Sequence, residues 1–207
     1  WSTVSIIDPV FTLPLLLAVL LAALRHKPVY ARLGLLWALS YMALGLWQRH
    51  EAQEMGFALA AQRGHTPVRL EAKPSFANIL VWKVVYETAD RFYVDAVRAG
   101  LAPRVYEGTS VPKLDIARDL PWLDLASQQA RDIERFRAFS NGYITRDPLH
   151  ANRVIGIRFS MLPHEVAPLW SIELDPDVAH DEHVDYLMHR DTSPARSAQL
   201  WSMLSGP

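Results

Sequence analysis

The distribution of apolar and polar positions divides the chain into an apolar beginning and a mixed remainder. Two long apolar runs lie within the first fifty residues: Pro9–Leu24 carries no charge, and Val29–Trp47 carries only Arg32. With Val4–Ile7 the first run reaches about twenty residues, which is near the length that crosses the hydrocarbon core of a bilayer. Only the short link Arg25–Pro28 separates the two runs. The pattern therefore predicts a tight antiparallel pair of transmembrane helices.

A pair of buried helices in a soluble bundle is the alternative interpretation of these runs. Two adjacent helices that are apolar all round are hard to bury within 207 residues, so we favour the membrane hairpin. A signal peptide is excluded, because its basic residues precede the apolar core, whereas Arg25 and Lys27 follow it here. The positive-inside tendency places the link between the runs in the cytoplasm and the polar remainder on the outer side.

Asp8 stands immediately before the first apolar run and has two interpretations. An acidic side chain ahead of Pro9 would cap the free amides of the helix and complement its dipole. Alternatively, Asp8 contributes to a site at the membrane surface. We expect the capping role and keep Asp8 as a candidate catalytic residue.

The remainder of the chain alternates between strand and helix patterns. The second helix is expected to continue beyond the membrane until Gly64 and Pro67. Period-two alternation predicts strands, and a helical period predicts a long helix followed by a short amphipathic one. The predicted strands are Ile79–Glu87, Arg91–Arg98, Arg104–Gly108, Gly142–Arg146, Arg153–Met161 and Leu169–Leu174, and the predicted helices are Trp122–Phe139 and Pro194–Leu204.

These elements predict a membrane α-helical hairpin followed by an α+β domain with a small antiparallel sheet. The hairpin and its helical extension occupy residues 1–64, and the extramembrane α+β domain occupies residues 65–178. Residues 179–207 form a polar C-terminal tail with a short helix. The partner implied by the hairpin is the lipid bilayer.

Composition excludes several classes of function. The formal net charge is −1, whereas a general nucleic-acid-binding protein would carry a basic excess, so we expect no nucleic-acid partner. The chain has no cysteine, which excludes disulfides, thiolate zinc sites and cysteine nucleophiles. It also lacks a Gly-rich phosphate loop, a Gly-x-Ser-x-Gly elbow and a His-Glu-x-x-His motif.

A stretch rich in histidine and acidic residues near the C-terminus holds the candidate metal ligands His180, His183 and His189. Imidazole and carboxylate groups are suitable ligands for zinc or manganese. The spacing does not give the i,i+4 histidine pair of a helical metal site, and the stretch follows the polar residues Asp175 and Asp177. An exposed acidic connector is therefore the favoured interpretation.

Arg158 is a candidate of a different kind, because it lies between Ile157 and Phe159 in a predicted apolar strand. Its side chain should point out of the sheet or contact an anionic partner, and we keep it as a candidate catalytic residue. His164 and Glu165 lie at a predicted hairpin turn, where we expect ordinary loop residues.

Several spaced features resemble the C-terminal half of the bacterial membrane-bound metal-dependent hydrolases of the inner membrane. The resemblance spans Ile6 to Asp175, and its specificity lies in the order of short motifs. Gly156 departs from the pattern, because an acidic residue is common there in the family. The matching positions are Ile6-Ile7-Asp8-Pro9, Pro74, Trp82, Tyr86, Tyr93, Arg135-Phe136, Phe139-Ser140, Tyr143 and Ile157-Arg158-Phe159.

The resemblance implies a bacterial inner-membrane protein in which a divalent metal, zinc or manganese, activates water for attack on an ester or phosphoester. A lipid reached from the membrane surface would be a suitable substrate. The family's metal-binding motifs do not occur in this sequence, and the first residue is Trp1 rather than Met. We therefore expect the sequence to be a fragment whose catalytic motifs lie upstream. The alternative is a non-catalytic membrane-anchored binding module of the cell envelope.

Overall fold

A computed structural model of the chain describes residues 3–5, 7–100, 102–191 and 193–205. Trp1 and Ile6, on which parts of the sequence interpretation depend, lie outside the described residues. The elements follow in the order α1 (Pro9–Arg25), α2 (Pro28–Gln62), β1 (Arg69–Pro74), β2 (Val81–Glu87), β3 (Arg91–Arg98), β4 (Arg104–Pro112), α3 (Ile116–Asp119), α4 (Gln128–Phe139), β5 (Ile144–Arg146), β6 (Arg153–Gly156), β7 (Trp170–Glu173), β8 (Asp185–Met188) and α5 (Pro194–Ser205).

The two N-terminal helices form the predicted hairpin. His26 adopts a φ of 51° at the end of α1, and α2 begins two residues later at Pro28. The helices approach closely at Gly34, where a Cβ atom would lie 2.9 Å from the Cβ of Ala18. Small residues at a helix–helix contact allow this close approach.

Large apolar side chains are exposed along both helices of the hairpin, from Val10 in α1 to Trp47 in α2. Within the described residues, α2 is the one helix that is long and apolar enough to cross a membrane. α1 is shorter, with 17 residues. The N-terminal region therefore contains one candidate membrane-spanning helix by length and composition.

The second half of α2 continues beyond the apolar run, as predicted, and packs on the first sheet. Ala52 and Leu59 are buried there. Gly56 allows the helix to lie close to the strands, since a Cβ at this position would come within 2.7 Å of the Cγ1 of Val84. This packing joins the hairpin directly to the β-region.

The α+β domain is confirmed, and its strands form two sheets rather than one. Strands β1 to β4 make one antiparallel sheet in chain order, and β5 to β8 make the other. The predicted hairpin around residues 88–90 is confirmed by the pairing of β2 with β3.

The first sheet is buried on both faces, which explains why most of β2 is inaccessible. On one face Trp82 and Val84 pack towards α2. On the other face Val85 meets the second sheet, and Val81 meets Met203 of α5. A polar side chain on this second face is therefore inside the protein.

Several elements differ from the sequence prediction, including α4, β6 and β8. α4 begins at Gln128 rather than Trp122, because the Ser127 side chain caps its amides. β6 ends at Gly156, so Arg158 lies beyond the strand rather than inside it. The strand β8 lies in the stretch expected to be a polar tail and pairs with β7.

Candidate functional site

A cavity of about 920 Å³ opens where the N-terminal segment, the first sheet, residues 158–163 and α5 meet. We call it the cationic cavity, because its lining combines an apolar wall with basic side chains, and no acidic residue is among the described residues that line it. The apolar wall includes Ile7, Phe76, Phe159, Met161, Leu200 and Trp201. The basic side chains are Lys73, Lys83, Arg158, Arg190 and Arg196.

Two of these bases, Lys73 and Lys83, are direct cross-strand partners in β1 and β2. Their side chains therefore leave the same face of the first sheet, where like charges destabilise each other. Lys83 is 4% exposed and Lys73 is 9% exposed. Burial lowers the pKa of Lys83 to about 7 and that of Lys73 to about 8.

The amine of Lys83 contacts the segment that follows β6. Its Nζ lies 2.8 Å from the Oγ of Ser160 and 2.7 Å from the backbone oxygen of Glu165. The Oγ of Ser160 is also 2.6 Å from the backbone oxygen of Leu162, to which it donates. Lys83 and Ser160 both line the cationic cavity. A buried amine therefore lies within hydrogen-bond distance of a hydroxyl that faces the cavity.

The groups around this contact are themselves charged or titratable. The Glu165 carboxylate forms an ion pair with Arg196 of α5. His164 is half-buried, and burial lowers the pKa of its imidazole. Its Nδ1 is buried and makes no hydrogen bond. The Lys83 amine therefore lies in a desolvated environment that contains one paired acid.

Arg158 contacts an anionic partner, as one of its two interpretations predicted. Its guanidinium donates hydrogen bonds of 2.9 Å and 3.3 Å to the two carboxylate oxygens of Glu71. The Lys73 Nζ lies 3.9 Å from the same carboxylate and 4.1 Å from the centroid of the Phe159 ring. Burial alone would raise the pKa of Glu71, but the Arg158 hydrogen bond and the Lys73 charge lower it. One carboxylate therefore faces two cations, and the cavity keeps an excess of positive charge.

Asp8 is 2% exposed and caps α1, as predicted. One of its carboxylate oxygens accepts hydrogen bonds from the amides of Val10 and Phe11, both at 3.1 Å. The other accepts from the hydroxyl of Tyr41 at 2.8 Å. Asp8 therefore links the beginning of α1 to α2, and its neighbour Pro9 lines the cavity.

The three candidate metal-ligating histidines contact separate partners. The contacts are from His180 Nε2 to Asp124 Oδ2 at 3.1 Å, from His183 Nδ1 to Asp132 Oδ2 at 2.7 Å, and from His189 Nε2 to Ser171 Oγ at 2.7 Å. No group of three or more histidine, aspartate or glutamate side chains among the described residues could hold a metal ion. These histidines do not fit a shared metal centre.

Sequence reasoning did not single out Lys73, Lys83 or Ser160. Lys83 could have been identified from the sequence, because it is a charged residue within the apolar strand Val81–Val85, just as Arg158 is a charged residue within an apolar segment. No sequence feature identified Ser160, because its contact with Lys83 depends on the packing of the two sheets.

Comparison of the chain with protein-family models, with curated proteins and with solved structures found no match. Membership of the membrane-bound metal-dependent hydrolase family and dependence on a divalent metal therefore stay predictions.

Proposed function

We propose that this chain is a membrane-anchored module that binds an anionic phospholipid in the cationic cavity. The observation that carries the proposal is the composition of the cavity: an apolar wall joined to five basic residues beside the start of α1. A lipid with a negatively charged headgroup would contact the basic residues with its headgroup and the apolar wall with its acyl chains.

The proposal that the chain is anchored in a membrane is based on the exposed apolar surface of the hairpin. The part of α2 between Pro28 and Trp47 has about 20 residues and a length of about 30 Å, which matches the hydrocarbon thickness of a bilayer. Large leucine side chains on both helices face outwards. Contiguous apolar surface of this extent marks a contact with lipid or protein, and a bilayer covers both helices at once.

The position of the cavity supports the binding of a lipid headgroup. It is lined by Ile7 and Pro9, at the end of α1 that is far from the Arg25–Lys27 link. Trp201 of α5 lines the same cavity and is 70% exposed. Tryptophan is enriched at membrane–water interfaces, so its place on α5 fits a surface near the headgroups.

The basic residues divide between two tasks. Arg158 and Arg196 share their charge with carboxylates through short contacts. Lys73, whose Nζ is 3.9 Å from the Glu71 carboxylate that Arg158 already binds, and Arg190 would offer charge to a phosphate. Charge-assisted hydrogen bonds to phosphate are stronger than neutral ones. The apolar wall would then take the beginning of an acyl chain.

Native mass spectrometry of the detergent-purified chain tests this proposal. We expect the wild-type chain to retain phosphatidylglycerol in preference to phosphatidylcholine, and we expect the double variant Lys73→Gln, Arg190→Gln to lose that preference. The matched control is Arg131→Gln, Arg137→Gln, which removes the same charge from α4. Equal retention of both lipids by the wild-type chain would contradict the proposal.

A bacterial inner-membrane location with the sheets on the periplasmic side is the orientation that the link charges favour. The chain has no cysteine, so single cysteines report topology cleanly. Leu149 is 87% exposed, and we expect Leu149→Cys to react with a membrane-impermeant maleimide once the outer membrane is permeable. His26→Cys, in the link, should react only after the inner membrane is broken. The reverse pattern would place the sheets in the cytoplasm.

A further inference from the structure

We propose that Ser160 and Lys83 form a nucleophile–base pair that hydrolyses an ester bound in the cationic cavity. This inference rests on the proposed lipid-binding function, because that function supplies an ester-containing ligand. It requires neither a metal nor any residue outside the described part of the chain.

The geometry of the pair matches what an activated serine needs. The Lys83 Nζ lies 2.8 Å from the Ser160 Oγ, within the range for a nucleophile and its base. A third group orients the base, since the backbone oxygen of Glu165 lies 2.7 Å from the same Nζ. A neutral amine that donates to Glu165 can turn its lone pair towards Ser160. Nucleophile, base and orienting group are thus in place, in a serine–lysine variant of the catalytic triad.

The Ser160 proton has two acceptors within reach. The hydroxyl donates to the backbone oxygen of Leu162 at 2.6 Å. Rotation about the Cβ–Oγ bond redirects the proton to Lys83 and leaves the oxygen lone pairs towards the cavity. Leu162 therefore holds the hydroxyl in a resting orientation.

The buried position of the Lys83 amine lowers the stability of the folded chain. A chemical role for the amine would explain why a lysine is present there. The residue lies on the buried face of β2 between Val81 and Val85, directly opposite Lys73. An apolar side chain of similar size would fill this place without the cost of burying an amine. Lys83 also lines the cationic cavity.

The protonation state of Lys83 supports the role of base. Its pKa is about 7, so near neutral pH a substantial fraction of the amine is uncharged and able to accept a proton. The charged and titratable groups around it are Glu165, His164, Arg196 and, on the neighbouring strand, Lys73. The Glu165 charge opposes the lowering but is itself paired with Arg196. Burial of the amine has a larger effect on the pKa of Lys83 than the Glu165 charge has.

The reaction balances without a further reactant except water. The Ser160 Oγ forms a bond to the carbonyl carbon of the ester, and its proton passes to the Lys83 Nζ. Lys73, opposite Lys83 in the sheet, supplies positive charge to the oxyanion of the tetrahedral intermediate. The intermediate collapses with cleavage of the ester C–O bond, and the leaving alcohol takes the proton from Lys83. A water molecule then gives its proton to Lys83 and attacks the acyl-serine, which releases the acid and returns the proton to Ser160.

An alkyl fluorophosphonate tests the pair directly, because an activated serine displaces its fluoride and keeps the phosphonyl group. In the detergent-purified chain, we expect tryptic peptide mass spectrometry to find the added mass on Ser160. Labelling should rise with pH through a midpoint near 7, since the neutral amine is the active form. Ser160→Ala and Lys83→Met should abolish labelling, and Lys83→Arg should reduce it at least a hundredfold.

Two controls keep the test decisive. Ser202 is an exposed serine of α5 outside the lining of the cavity, and Ser202→Ala should leave labelling unchanged. Thermal unfolding of each variant is compared with that of the wild-type chain to show that the variant folds. If Lys83→Met does not fold, the labelling of Ser160→Ala decides the test. Labelling that is absent from the folded wild-type chain, or that persists in Ser160→Ala, would overturn the nucleophile assignment.

Phosphatidylglycerol retention, measured on the same samples, separates this inference from the function on which it rests. Retention without labelling would overturn the nucleophile–base pair and leave the binding function standing. Labelling of Ser160 without any lipid preference would support the pair and overturn the choice of an anionic lipid. Absence of both would overturn both proposals.

Discussion

Lys73 and Lys83 occupy directly opposite positions in β1 and β2, on a face of the sheet that the second sheet and α5 cover. Burial removes hydration from both amines and lowers the pKa of each. Glu71 offsets the charge of Lys73 at 3.9 Å but shares its carboxylate with Arg158. The fold therefore holds two buried amines with lowered pKa values on one face of the sheet at the cavity.

The buried amine makes stability depend on pH. The pKa of Lys83 is about 7 in the folded chain, against about 10.4 for an unperturbed lysine. Between these values unfolding takes up a proton, so the free energy of unfolding should rise with pH, by at most about 1.4 kcal/mol per pH unit for this group. Below pH 7 the penalty of the buried charge is fully present.

Chemical denaturation in detergent between pH 6.5 and pH 10 measures this dependence. We expect Lys83→Met to remove the rise between pH 7 and pH 8 and to leave the contribution of Lys73, whose pKa is about 8, above that range. Lys27→Met in the exposed link should leave the whole rise unchanged. A wild-type stability that does not increase over this range would contradict the lowered pKa of Lys83.

The cap on α1 provides a second prediction. Asp8→Ala removes the acceptor for the amides of Val10 and Phe11 and the partner of the Tyr41 hydroxyl. We expect a loss of about 1–2 kcal/mol in the free energy of unfolding, the usual range for a lost helix cap. Asp8→Asn should retain most of the stability, because an amide oxygen also caps. Thr12→Ala, one turn further along α1, is the control, and a loss there as large as in Asp8→Ala would argue against a specific cap.

The elements that the sequence predicted well are those with a local signal. The hairpin α1–α2 and the pair β2–β3 follow from runs of apolar residues and from period-two alternation. β1 and β8 are edge strands. β1 alternates charged and apolar residues, but over only six positions that end at Pro74, and β8 has four largely exposed residues without such alternation. The pairing of β8 comes from the neighbouring strand rather than from its own sequence.

The candidate site depended on contacts that no local pattern contains. Lys83 and Ser160 are 77 residues apart and meet because the segment after β6 packs on the first sheet. An anionic partner for Arg158 could be predicted from its apolar neighbours, but its identity as Glu71, 87 residues away, could not. Tertiary packing, rather than residue type, created the cavity.

The contact between the hairpin helices leads to a third prediction. A Cβ at Gly34 would lie 2.9 Å from the Cβ of Ala18, so Gly34→Ala should push α1 away from α2 and lower the melting temperature in detergent. The compensating change Ala18→Gly should restore part of the loss in the double variant. Leu33 is exposed, and Leu33→Ala should have little effect. Equal effects of Gly34→Ala and Leu33→Ala would show that the close approach is not important.

The ion pair between Arg63 and Asp95 should be far more important for stability than a surface pair of the same chemistry. Asp95 is 1% exposed and accepts hydrogen bonds of 2.7 Å and 2.9 Å from the Arg63 guanidinium. It also accepts from the amide of Gly108 at 2.9 Å, so this carboxylate joins the end of α2 to β3 and β4.

Asp95→Ala leaves a partly buried guanidinium and a backbone amide without their acceptor, and we expect a loss of about 3–5 kcal/mol in the free energy of unfolding. Glu134→Ala breaks the exposed pair with Arg137 on α4 and should lose at most about 0.5 kcal/mol. Chemical denaturation of both variants at pH 7 gives the comparison. If the two losses were similar, the Asp95 carboxylate would not be the link between α2 and the first sheet, and the shared packing of Ala52 and Trp82 would have to hold them together alone.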